Sequence, residues 1–186
     1  MTPNLEQLTA DFAALVARVS RPVNPTDTNT GQETRATTEP APVAKIAPAV
    51  PPPPASPVQT VDPLLKGFNF DATVASAQVI EAAQILDRAG FAIDAVTGVD
   101  WIALNEMEVV YDFFHPTVSL RAVVRTRVPR AQPEVPTISS VFPGANWHER
   151  ETHDFFGIRF LGHPNMKPFL LPEDADFHPL RKDYQP

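Results

Sequence analysis

The chain has 186 residues, 22 of them proline, with no cysteine and a formal net charge of −7 at pH 7. That charge argues against nucleic acid as a general partner, and the lack of cysteine removes disulfides, thiolate zinc sites and cysteine-ligated iron–sulfur clusters from what this chain can hold. No run approaches the roughly 20 apolar residues of a membrane span, and the start lacks a basic-then-apolar signal pattern, so the expectation is a soluble chain that meets a membrane only through partners.

Residues 1–20 carry a helical period. Leu5, Leu8, Phe12, Leu15, Val16 and Val19 recur three and four apart and form one apolar stripe. The pair Arg21-Pro22 ends it, because proline disfavours helix in the residue before it. The stripe is read as an amphipathic docking helix on a tether; the plainer reading packs it on its own domain. Residues 21–66 hold half of the prolines, including Pro51, Pro52, Pro53 and Pro54, and show no periodicity. Such a composition does not bury enough apolar surface to offset chain entropy, so a disordered proline-rich linker with a polyproline II stretch is expected. A ligand for a proline-binding module is the alternative.

The folded domain is expected over residues 67–157. Residues 73–89 read as a helix capped by Thr73 and stopped by Gly90. A strand follows over 91–101 with a turn at Gly98, then a second over 106–115 and a third over 117–128. In the third, Val118, Leu120, Ala122, Val124 and Thr126 share one face, while Arg121, Arg125 and Arg127 share the other. Those arginines read as a solvated sheet surface or as acceptors of an acidic neighbour. After a connection punctuated by Pro129, Pro133, Pro136 and Pro143, a short helix is predicted from a capping pair, Asn146 and Glu149, to a stop at Gly157. Within it Arg150 can meet Asp154, and Glu149 can meet His153, each four residues on. The sum is an α+β fold: a small, mainly antiparallel sheet with a helix packed on one face.

The motifs of independent catalysis are missing. His148-Glu149 followed by His153 is one residue too long for the H-E-x-x-H zinc helix, and five residues on a helix turn the second imidazole away by about 140°. An independent metal enzyme built on His148, His153 and His163 is therefore kept only as a competitor. There is no G-x-G-x-x-G after a strand and no Walker A sequence. The pairs Glu149/Glu151 and Asp174/Asp176 read as solvated or ion-paired, so no catalytic, cofactor or metal residue is assigned.

Residues 158–186 form an extended arm. Pro164, Pro168, Pro172 and Pro179 forbid long helices, while Ile158, Phe160, Met166, Phe169, Leu170, Leu171, Phe177 and Tyr184 are costly to leave in water. The arm is expected to wrap a partner, with Arg159, Lys167, Arg181 and Lys182 offering charge-assisted hydrogen bonds. Folding back on its own domain is the alternative.

At these residues the chain resembles the thirty-kilodalton subunit of complex I, the respiratory NADH dehydrogenase. The resemblance rests on Glu149, Arg150, Glu151 and Asp154 followed by Phe155 and Phe156, then Gly157, Gly162, His163, Pro164 and Lys167. The runs Leu171-Pro172-Glu173-Asp174 and His178-Pro179-Leu180-Arg181-Lys182-Asp183-Tyr184 close it. It implies a non-redox structural subunit in the peripheral arm of a membrane-bound, proton-translocating NADH:quinone oxidoreductase, on the cytoplasmic side of the plasma membrane. It further implies a clamp on the large quinone-pocket subunit beside a small iron–sulfur subunit, with iron–sulfur clusters and flavin in partners and none here. The interface would then use Glu149, Arg150, Glu151, Asp154, Arg159, His163, Lys167, Arg181, Lys182, Asp183 and Tyr184. The same domain in formate- or carbon-monoxide-linked, membrane-bound nickel–iron hydrogenases, with nickel–iron in the large subunit, is the alternative the resemblance implies.

Overall fold

A five-stranded sheet carries the molecule, and its two central strands show why. In β4 (Glu106–Phe114) and β5 (Arg121–Pro129), apolar and polar residues alternate, so pairing Tyr111 with Val124 and Phe113 with Ala122 builds one continuous apolar face. The computed structural model describes residues 3–18 and 56–185. Most of the proline-rich segment, with Pro51 to Pro54, and Val19 of the N-terminal apolar stripe lie outside the described residues.

The remaining elements are α1 (Leu5–Ala17), β1 (Val58–Thr60), α2 (Pro63–Lys66), β2 (Phe70–Thr73), α3 (Val79–Arg88), β3 (Ala92–Trp101), β6 (Glu134–Pro136), α4 (Ala145–Phe156) and β7 (Arg159–Leu161). The sheet order is β1-β2-β5-β4-β3, with only β2 and β5 parallel; β6 and β7 form a separate parallel pair. The α+β class and the mainly antiparallel sheet are as read from the sequence. Helices cover the apolar face, where Val79 and Ala83 of α3 meet Tyr111, Phe113 and Val124. Further along that face, α4 lies on β3 and Thr152 Oγ1 donates to Val96 O at 3.0 Å.

Several local expectations change. Residues 56–66 belong to the fold, since Val58, Gln59 and Thr60 pair with Ala72, Asp71 and Phe70. The linker therefore ends earlier than residue 66. Thr73 closes β2 instead of capping a helix; a 3₁₀ turn over Ser76–Gln78 leads into α3. Gly98 is no turn. It sits inside β3 opposite Val109, where a Cβ would stand 2.6 Å from Phe156 Cδ2, so glycine is there to let α4 approach the strand. The first helix docks on its own chain: Leu8, Phe12 and Leu15 are buried, and the Phe12 ring meets Phe70 edge-on with centroids 4.9 Å apart.

Among the described residues no helix covers the opposite face of the sheet. There Arg121 pairs with Asp94 and, at 3.0 Å, Asp112; Arg125 Nε meets Asp71 at 3.0 Å; Arg127 Nε meets Glu108 at 3.1 Å. The three arginines thus find acidic partners on other strands of this chain, Asp71 on β2, Glu108 and Asp112 on β4 and Asp94 on β3. Trp101 closes the set, donating Nε1–H to Glu108 at 2.9 Å under the Arg127 guanidinium.

Candidate functional site

The charged signature on α4 ties the arm to the domain, residue by residue. The helix begins without a side-chain cap at Gly144, so neither Asn146 nor Glu149 serves the expected capping pair. It ends at Gly157, whose φ of 71° is the left-handed conformation that glycine adopts without a Cβ clash. Between those ends, three side chains leave in three directions.

Glu149 points inward and is fully buried. It accepts from Ile138 N at 2.8 Å and from Thr137 Oγ1, fastening α4 to the turn after β6. Burial drives its pKa up to about 7 against the pull of those two bonds. The neighbouring Tyr111 hydroxyl is raised well above its ordinary value by burial and then by the Glu149 charge, and Tyr111 Oη has no hydrogen-bond partner among the described residues. His163 Nε2 lies 3.8 Å from Glu149 and bonds Asn146 O at 3.2 Å, while its Nδ1 accepts from Asn165 N at 3.1 Å. Burial lowers the His163 pKa, which suits a neutral ring with its proton on Nε2. The expected Glu149–His153 pair does not form, because His153 turns the other way, its Nδ1 2.9 Å from Ile158 O.

Arg150 and Asp154 also do not pair. Each takes hold of the arm instead. Arg150 donates to Lys167 O and Pro168 O, both at 3.0 Å, with its guanidinium against Trp147 and Phe169, whose own ring centroids are 5.1 Å apart. Asp154 Oδ2 accepts three successive backbone N–H groups, from Phe169 at 2.8 Å, Leu170 at 2.7 Å and Leu171 at 3.1 Å. Burial works to raise the Asp154 pKa, but the three amides together outweigh it and hold the carboxyl below its usual value.

The last turn of α4 is closed by the run from His178 to Tyr184. His178 Nδ1 donates to Asp154 O at 2.8 Å, Leu180 N to Phe155 O at 3.1 Å, and Arg181 Nε to Phe156 O at 2.7 Å. Those carbonyls are the orphan acceptors that every helix end exposes, and here the arm satisfies them. The strap is then pinned to the end of β3. Asp100, with its side chain fully buried, accepts from Arg130 Nε at 2.8 Å and Nη2 at 3.1 Å and from Lys182 N at 2.8 Å. Arg130 also reaches Asp183 at 2.6 Å. The arm thus folds back on its own domain, against the expectation that it extends around a partner. Ile158 and Phe160 enter the core with β7.

Of the eleven residues read as an interface, the structure places Glu149 and Asp154 inside and uses Arg150, Arg181 and Asp183 within the chain. Lys182 contributes its backbone N–H, Arg159 pairs with Glu134 at 2.7 Å, and Tyr184 stacks on Phe177. Glu151 and Lys167 are exposed. Asp100, Arg130 and Thr137 were missed, since each acts on a residue 12 or more positions away and carries no local motif. Apolar side chains face outward from α4 and the arm: Trp147 of α4 is 55% exposed, Leu170 54% and Leu180 50%, and Phe169, Phe177 and Leu161 are exposed as well, with the Trp147 and Phe169 ring centroids 5.1 Å apart. On a folded surface such a concentration marks an interaction site. No group of three or more His, Asp or Glu is placed to hold a metal ion among the described residues, and His163 has both ring nitrogens engaged.

The chain is similar to known proteins. An F(420)H(2) dehydrogenase subunit from Methanosarcina mazei is 43% identical over 95 residues, covering 49% of this chain and 58% of that protein. An NADH-quinone oxidoreductase subunit from Roseiflexus sp. is 44% identical over 92 residues, covering 49% of this chain and 53% of that protein. The chain thus spans little more than half the length of these relatives. In three dimensions it matches a chain of the membrane-bound sulfane sulfur reductase, an archaeal respiratory membrane complex, with a TM-score of 0.58 and 29% identity over 62% of this chain and 71% of that one. No helix among the described residues is long and apolar enough to cross a membrane. The family model of the 30 Kd subunit of respiratory-chain NADH dehydrogenase matches residues 72–186, which take in α4, the strap that closes it and the anchors at Asp100 and Arg130, and the chain belongs to that family.

Proposed function

We propose that this chain is a non-redox structural subunit in the peripheral arm of a membrane-bound, proton-translocating NADH:quinone-type oxidoreductase, where it clamps the large subunit that forms the quinone pocket. The observation that carries the reading is the arm itself. Interior anchors at Asp154, Asp100 and the end of α4 hold it rigidly, and its apolar side chains at Phe169, Leu170, Phe177 and Leu180 are left facing out, beside Trp147 of α4 at Phe169. A preformed apolar surface costs little ordering entropy when a partner covers it. Each such side chain contributes about 1.5–3 kcal/mol on full burial. The buried carboxylates and the committed histidine nitrogens serve the clamp, so electron transfer falls to partners carrying iron–sulfur clusters and flavin. Peripheral attachment on the cytoplasmic face of the membrane follows from the same reading.

The test is assembly. The double variant Leu170→Asp with Leu180→Asp should fold as the parent does by circular dichroism, yet fail to co-purify with the large subunit from gently solubilised membranes. Normal assembly of the variant would sink the proposal. The relative named for F(420)H(2) and the likeness to a sulfane sulfur reductase favour a second reading, in which the same clamp serves a complex with a different donor or acceptor. A co-purifying flavin module that oxidises NADH supports the first reading. Its absence supports the second, and nickel in the large subunit would identify the hydrogenase form of it.

A further inference from the structure

The N-terminal helix lies outside the family-matched residues 72–186 and rests on the domain like a bound peptide. Its three buried side chains, Leu8, Phe12 and Leu15, stand at positions i, i+4 and i+7, the spacing by which an amphipathic helix anchors in a groove. The groove is made by α3, β1 and β2, with Phe70 at its floor beneath Phe12. Besides the apolar contacts, two polar ones hold the helix: Gln78 Nε2 donates to Leu15 O, and Arg18 pairs with Glu81 at 2.7 Å on the surface. Both flanks are loosely filled. A cleft of about 220 Å³ lies between Asn4 and Gln7 of the helix side and Ile85 and Arg88 of α3, and one of about 560 Å³ between Leu5, Thr9 and Ala13 and Thr60 of β1. The three anchors join the domain's apolar core, while among the described residues the surface beside the helix is open on both margins. Residues 19–55 join the helix to β1, a length of chain that reaches more than about 100 Å when extended.

We infer that the groove between α3 and the β1–β2 edge is a helix-docking site that takes α1 as a separable ligand, in trans as well as in cis. The chemistry it selects is an amphipathic helix with a leucine, an aromatic and a leucine at the three anchor positions. Its occupant is the chain's own α1, or the same helix of a second copy once the protein concentration exceeds the effective concentration set by the tether, on the order of millimolar. The inference is independent of which oxidoreductase the domain joins, because it concerns a face the clamp does not use.

The experiment uses the full-length protein with a protease recognition sequence inserted after Gly31, cleaved in the folded state. The fragment bearing α1 should dissociate on dilution and rebind on concentration, followed by anisotropy of a fluorophore on the fragment, while far-ultraviolet circular dichroism shows the sheet intact. Phe12→Ala should raise the dissociation constant at least about thirtyfold, since deleting a buried phenylalanine ring costs more than an order of magnitude in affinity. Retention of the fragment down to nanomolar protein, or loss of the sheet on its release, would overturn the inference and make α1 part of the core. In the uncut protein, hydrogen exchange gives a second reading. Amides of α1 should exchange through an opening that leaves β4 and β5 protected, and equal protection of α1 and β4 would overturn it as well.

Discussion

Asp154→Asn tests the clamp at its most concentrated point. One carboxylate oxygen receives three backbone amides from Phe169, Leu170 and Leu171, at 2.7 to 3.1 Å. A hydrogen bond to a charged acceptor contributes about 1.5–3 kcal/mol and one to a neutral acceptor about half that. Neutralising the acceptor therefore removes about 1 kcal/mol per bond. Because three donors share one oxygen, the losses do not add fully, and about 2 kcal/mol is the expected total. The loss should be local, since the sheet and α3 do not depend on this contact. Amides 169–171 should exchange about thirtyfold faster by hydrogen exchange mass spectrometry, with protection in β4 unchanged. The pH dependence has a definite sign. The folded pKa lies below the unfolded value, so the contribution is complete above the ordinary carboxylate range and is lost as pH falls through the lowered folded value. Parental exchange rates at 169–171 in the variant, or loosening of the parental arm already between pH 5 and 6, would refute this account of the clamp.

Glu149 should behave in the opposite sense. Its folded pKa of about 7 exceeds the ordinary 4.5, so the folded state binds the extra proton and stability falls as pH rises from about 4.5 to 7, by on the order of 3 kcal/mol. Glu149→Gln keeps an acceptor for Ile138 N and should flatten that slope in urea melts; an unchanged slope would exclude Glu149 as its source. Arg130→Ala strands the buried Asp100 carboxylate and should cost about 3–5 kcal/mol, whereas Asp183→Ala at the exposed end of the same contact should cost no more than about 1 kcal/mol, so equal losses in denaturant titrations would contradict the burial argument. Gly98→Ala drives a methyl group into Phe156 and should destabilise by about 1–3 kcal/mol; a neutral effect would show that α4 can move off β3. Glu151→Gln, at an exposed position on α4, should leave the melting temperature of the isolated chain unchanged and weaken recovery of the assembled complex, and a normal complex yield would remove Glu151 from the interface.

Local periodicity was enough for much of the architecture. The strand character of β4, the alternation in β5, the apolar stripe of α1 and the glycine stop at Gly157 were all legible, because each depends on residues within one or two turns of chain. The signature from Glu149 to Tyr184 identified the family for a related reason: its runs are long enough, and in a fixed order, to be read without knowing what they touch. Partners were not legible. Arg150 and Asp154 have the spacing of a helix-surface pair, yet the structure gives each a set of backbone groups about fifteen residues further on, because three converging amides stabilise a carboxylate more than one exposed guanidinium does. Thr73 looked like a helix cap until β5 offered it a strand to pair with, and Gly98 looked like a turn until Phe156 came down on it. By itself, then, the sequence determined which segments are regular, which faces are apolar and to which family the chain belongs. The tertiary structure alone decided where those faces go: α1 and the arm both close on their own domain, because the nearest complementary surface within reach of the chain is Phe70 for one and the open end of α4 for the other.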